Sequence, residues 1–216
     1  MIRSLVILYL SALGFLLPVL AQGTCVINDF EVQTNFVPEQ FSGLWHLAGY
    51  NRMMRPVTRL PPRIAKITTR YVKSLYALGE DGRGTIRSTG QVTVTLRDGH
   101  NFTRCEDVDF STHMEQGSRP VMDLIQTTGR RQGALTRSHI VETDYANYAV
   151  RYTCEHELPN GACAPNKDHL WILRKDSAQF SLTDSQIRGF MEKLCISGAY
   201  IESPMGPQCP FEDNQK

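Results

Sequence analysis

Ile86-Arg87-Ser88-Thr89-Gly90-Gln91-Val92-Thr93-Val94-Thr95-Leu96 alternates with a period of two, its even positions apolar or small and its odd positions polar. This is the pattern of a strand with one dry face and one wet face. Upstream, Gly79-Glu80-Asp81-Gly82 is a hairpin signal that joins this strand to a second run over 65–78. Downstream, similar runs recur at 105–111, 121–127, 138–145, 148–155 and 170–174, broken by turn-formers such as Glu115-Gln116-Gly117-Ser118. With an opening run at 44–51 this makes eight strands, spaced as in an antiparallel sandwich or an up-and-down barrel.

A single helix follows the last of these runs. Thr183 is a natural N-cap and Gln186, three residues on, completes a capping box. Ile187, Phe190, Met191 and Leu194 then recur at helical spacing, an apolar stripe expected to lie on the outside of the sheet. Residues 199–201 fit a short ninth strand.

The first 21 residues stand apart from this pattern. Arg3 precedes an apolar stretch, and Val19-Leu20-Ala21 has the short side chains that a signal peptidase reads, so residues 1–21 are expected to be a cleaved signal peptide. Residues 22–216 then form one domain with 22 basic and 22 acidic residues. A balanced charge offers no basic face for a nucleic acid. A hydrophobic share of 41% is too high for a disordered chain, and no later stretch is apolar for long enough to span a bilayer. The expected product is secreted and extracellular.

Secretion decides how the six cysteines are read. Cys25, Cys105, Cys154, Cys163, Cys195 and Cys209 are an even set without a C-x-x-C knuckle, so disulfides are expected and a metal site is not. Spacing alone leaves the connectivity open. Only Cys154 with Cys163, across Pro159-Asn160-Gly161, is suggested locally. Asn101-Phe102-Thr103 is a glycosylation acceptor expected on an exposed loop after Arg97-Asp98-Gly99-His100. No nucleophile-and-base motif is present, the histidines are scattered singly, and no catalytic residues are assigned.

Phe41-Ser42-Gly43-Leu44-Trp45 opens the first strand with G-x-W, Thr143-Asp144-Tyr145 closes the sixth, and Arg174 ends the eighth. In this order and spacing the set resembles the three signature regions of the lipocalin family, over nearly the whole chain from Cys25 to Cys209. The cysteine spacing and the stretch from Thr143 to Cys154 are most similar to the retinol-binding members.

The resemblance implies an eight-stranded antiparallel up-and-down barrel with one C-terminal helix, carrying a small lipophilic ligand such as retinol or a related retinoid or isoprenoid. Another hydrophobic cargo, a fatty acid or a pigment, or a ligand-free interaction role, are the alternatives. It also implies disulfides Cys25 to Cys195, Cys105 to Cys209 and Cys154 to Cys163. Gly43, Trp45, Thr143, Asp144, Tyr145 and Arg174 become structural, with the Arg174 guanidinium over the Trp45 indole at the closed end. Ligand-lining positions fall on Ile86, Ser88, Val92, Met122, Leu124 and Leu170. No cofactor is implied beyond the bound lipophile. The protein is expected to be a monomer, with a carrier-protein or receptor contact at its open end. Arg52, Arg55, Arg59, Arg63, Arg130, Arg131 and Arg137 are the candidates there for holding a carboxylate head group.

Cleavage behind Ala21 is directly testable. Amino-terminal sequencing of the secreted product is expected to begin at Gln22; a product that retains residues 1–21 and stays with membranes would make the stretch an anchor.

Overall fold

A computed structural model describes residues 25–51, 61–114, 119–129, 132–175, 182–196, 198–204, 206 and 209–211. The turn expected at 115–118 and the signal peptide lie outside them. The eight strands are β1 (Gly43–Asn51), β2 (Ile64–Leu78), β3 (Arg83–Leu96), β4 (Asn101–Met114), β5 (Val121–Gln126), β6 (Leu135–Thr143), β7 (Tyr148–Cys154) and β8 (Asp168–Arg174). Each pairs antiparallel with the next, and β1 pairs with both β2 and β8, which closes the barrel. A short β9 (Tyr200–Glu202) pairs with the end of β1 from outside. Gly49 permits this approach, since a Cβ there would stand 2.0 Å from the Tyr200 hydroxyl.

The barrel base is stoppered by α1 (Pro38–Phe41). Phe41 and Trp45 are fully buried and stacked at 5.0 Å, and the indole Nε1 donates to the Phe41 carbonyl at 2.7 Å. Tyr76 meets Phe41 edge-on at 5.1 Å. The cation over the indole is Lys175, 4.3 Å from the ring centroid, and not Arg174 as expected. Strand parity explains the difference. Trp171 and Leu173 point inward, so Lys175 follows them to the base while Arg174 takes the outer face. The Lys175 ammonium also donates to the Ser42 carbonyl at 2.9 Å, and burial lowers its pKa. Gly43 has φ +110 beside it, a conformation that favours glycine.

α2 (Asp184–Lys193) is capped as expected, with Thr183 and Gln186 forming the reciprocal box. Ile187, Phe190, Met191 and Leu194 are buried against Val150, Tyr152, Leu170 and Ile172 on the outer face of β7 and β8. Each such side chain contributes about 1.5–3 kcal/mol. A second cluster, containing Trp45, Tyr76, Ile86, Met122 and Leu173, fills the lower part of the barrel. The disulfides are Cys25–Cys195, Cys105–Cys209 and Cys154–Cys163. The first ties the N-terminal segment to the end of α2, the second ties the C-terminal segment to β4, and the third closes the β7–β8 connection.

Thr143-Asp144-Tyr145 shapes the turn from β6 to β7. The Asp144 carboxylate accepts from the backbone N–H groups of Ala146, Asn147 and Tyr148 at 3.1, 2.7 and 2.9 Å. The Tyr145 hydroxyl accepts from the Val37 N–H at 2.9 Å, which fastens the segment leading into α1. Burial pushes the Asp144 pKa up, but the hydrogen bonds from Tyr148, Asn147 and Ala146 outweigh it and hold the carboxyl below its usual value. Its stabilisation is therefore present above the unfolded value near about 4 and is lost as pH falls through the lower folded value. Asp144→Ala is expected to cost about 1 kcal/mol at neutral pH. Urea denaturation across pH should show this cost shrinking below about pH 4; a pH-independent cost would mean the carboxylate hydrogen bonds do not carry it.

Candidate functional site

Above the stoppered base the barrel encloses a cavity of about 300 Å³. Seven of the eight barrel strands contribute to its wall. Leu47 comes from β1, Val72 and Ser74 from β2, Ile86 and Ser88 from β3, Val108 and Phe110 from β4. Leu124 and Gln126 come from β5, Arg151 from β7, and Trp171 and Leu173 from β8. Alternation explains the choice: each strand that sends its even residues inward on one side sends the intervening polar ones, such as Arg87, Asp107 and Asp123, outward to water.

Of the expected lining residues, Ile86, Ser88 and Leu124 stand on this wall. Met122 is fully buried one step below it, in the packed base beside Trp45. Val92 is buried but does not border the cavity. Leu170 is corrected outright: it faces outward beneath α2, together with Ile172. β8 is buried on both faces, so Leu170-Trp171-Ile172-Leu173 reads as a continuous apolar run and a period of two cannot choose its inner face. The inner pair is Trp171 and Leu173.

The same inversion hid Arg151. In β7 the apolar Val150 and Tyr152 turn outward to the helix, leaving Ala149, Arg151 and Thr153 on the inner side. The Arg151 Nη1 donates to the Tyr76 hydroxyl at 2.7 Å, and the guanidinium carbon lies 5.5 Å from the centre of the Trp171 ring. Its Nε is buried without a hydrogen-bond partner. Burial raises the Tyr76 pKa against the opposing pull of Arg151, so the phenol is neutral and brings no counter-charge. Across the cavity the Ser74 and Ser88 hydroxyls bond each other at 2.8 Å.

The open end is described only in part. Arg52, Arg55, Arg59, Arg130 and Arg131 lie outside the described residues. Arg63 is exposed. Arg137 does not belong to a loop; it lies within β6 and points outward, where its Nε donates to Asp123 at 3.0 Å. Asn101 is likewise not on a loop but is the exposed first residue of β4, its side-chain oxygen accepting from the Thr95 hydroxyl at 2.7 Å. The β3–β4 turn is shorter than the sequence cluster suggests because β4 begins directly after His100. Among the described residues no group of three or more His, Cys, Asp or Glu is placed to hold a metal, and no helix is long and apolar enough to cross a membrane.

No family model matches the chain. Curated relatives do. Purpurin of Gallus gallus is 23% identical over 180 residues, covering 82% of this chain and 84% of its own. Retinol-binding protein 4 of Mus musculus is 23% identical over 182 residues, with 83% of each covered. Among solved structures, apocrustacyanin C2 overlaps 80% of this chain and 81% of its own, with 16% identity and a TM-score of 0.45. The closed eight-stranded barrel, the base built around Trp45, the Thr143-Asp144-Tyr145 turn and the similarity along most of both sequences agree, and together they support a likeness to the lipocalin family, close to the retinol-binding proteins.

Proposed function

We propose that this protein is a secreted carrier which holds one small lipophilic molecule, retinol or a related retinoid or isoprenoid, inside the barrel. The observation that carries the reading is the cavity of about 300 Å³ bounded mainly by apolar side chains above a sealed base. Its size is at the lower end of small-molecule sites, enough for one ligand. Kinship to proteins named for retinol binding supports the choice of cargo.

Uptake needs no chemistry. A ligand that buries about 400 Å² of apolar surface gains roughly 10 kcal/mol gross. Immobilisation consumes several kcal/mol of that, which leaves an affinity between micromolar and nanomolar. The residues in this account bind and exclude water; none is assigned a catalytic role. Three disulfides fit an oxidising, extracellular setting. Asn101 is exposed and is proposed to carry a glycan, and the protein is proposed to act as a monomer with any protein contact at the open end.

Organic-solvent extraction of the natively purified protein, followed by mass spectrometry, is expected to recover a retinoid or another lipophile. Repeated recovery of nothing, together with no uptake of added retinoid, would favour an interaction protein without cargo. A second measurement locates the site. Ser88→Trp and Leu124→Trp each place a large ring in the cavity and are expected to weaken retinoid uptake at least tenfold in fluorescence titrations, with thermal stability reduced only modestly. Met122→Trp instead overpacks the base and is expected to cost about 1–3 kcal/mol of stability. Wild-type uptake by both cavity variants would place the ligand elsewhere.

A further inference from the structure

Arg151 is out of keeping with a cavity for a neutral cargo. It is the one charged residue on the described wall, where no aspartate or glutamate accompanies it. A guanidinium keeps its charge in proteins, and withdrawing such a charge from water without a counter-ion is expensive. What the protein supplies is incomplete: one hydrogen bond to the Tyr76 hydroxyl and the face of Trp171, with Nε left unpartnered. The acidic side chains of β4 and β5 are engaged elsewhere: Asp107 and Asp109 lie near Arg87, Asp123 is held by Arg137 on the outer surface, and Glu106 pairs with Arg104.

The direction of the side chain matters as much as its charge. Tyr76 belongs to the cluster that packs on Phe41 at the base, so the bond from Arg151 draws the guanidinium toward the closed end and away from the mouth. Resting on the carrier reading above, we infer that the preferred cargo is an amphiphile with an acid head, bound head-first, its carboxylate on Arg151 at the cavity floor and its apolar tail toward the open end. A carboxylate accepts two parallel hydrogen bonds from a guanidinium, a match that an alcohol lacks. The ligand thereby completes an ion pair for which the barrel provides only one half. This assignment replaces the exposed arginines of the rim as the recognising groups, and it differs from them in one measurable respect: a pair buried at the floor is screened far less by salt than one at the surface.

Retinoic acid, its methyl ester and retinol are suitable probes for the secreted protein, with quenching of the tryptophan fluorescence as readout, since Trp171 borders the cavity. The acid is expected to bind about tenfold or more tightly than the ester, and the preference is expected to persist at about 1 M salt. Arg151→Gln should bring the ratio of acid to ester affinity to about one, and Arg151→Lys, which keeps the charge but loses the fork, should leave an intermediate ratio. Equal binding of acid and ester by the wild type overturns the inference, and this comparison decides even if the variants do not fold. A preference that salt abolishes overturns it as well, and assigns recognition to the rim. If ester and retinol bind but the acid gains nothing, the carrier reading stands and only the acid head falls; if none of the three binds, both fall.

Discussion

Closing a sheet into a tube removes its edges but leaves two open ends, and the molecule is organised by how one of them is sealed. Phe41, Trp45 and Tyr76 fill the base as an aromatic stack, locked by the indole hydrogen bond to the Phe41 carbonyl and roofed by the Lys175 ammonium. Because that end is dry and packed, the space above it has a floor, and a ligand can enter only from the opposite side. The N-terminal segment that delivers α1 to this position is itself fastened to the β6–β7 turn by the Tyr145 hydroxyl and to β6 by the bond from the Gln33 N–H to the Ile140 carbonyl. Two of the three sequence signatures therefore serve one task, which is to hold the stopper.

The outer face is constrained in a different way. α2 covers β7 and β8 and buries Val150, Tyr152, Leu170 and Ile172, so these strands are apolar toward the helix and mixed toward the lumen. That reversal governs what the sequence reveals. Strands wet on one side, such as β3 with Ile86 and Ser88 set against Arg87 and Thr85, are legible in both extent and phase, and so is the helix with its Thr183 cap. Where both faces are dry, the period fades. Leu170 and Arg174 were both expected on the wrong side because one phase error in β8 moves every residue of that strand together.

Arg151 illustrates the same limit from the functional side. In the run Ala149-Val150-Arg151-Tyr152-Thr153 a charged residue between two apolar ones reads as solvent-facing, since in most half-buried strands it would be. Only the position of the helix, a contact made by residues more than thirty positions downstream, turns the arginine inward. The disulfide pairing is another feature that local spacing leaves open, because Cys25 and Cys195 are separated by 170 positions and meet only once the barrel and helix are both in place.

β1 is the strand that shuts the barrel, paired on one side with β2 and on the other with β8. Asn51 makes the connection to β8 tangible, donating to the Asp168 carbonyl 117 positions later and accepting from the Leu170 N–H. During synthesis β1 leaves the ribosome among the first strands, while β8 is among the last. An open sheet of seven strands, with β1 at one edge and its inner face exposed, is therefore the most that can assemble until the chain is nearly complete. Closure is a late event, and the Cys25–Cys195 bond, which joins segments 170 positions apart, forms a natural timestamp for it.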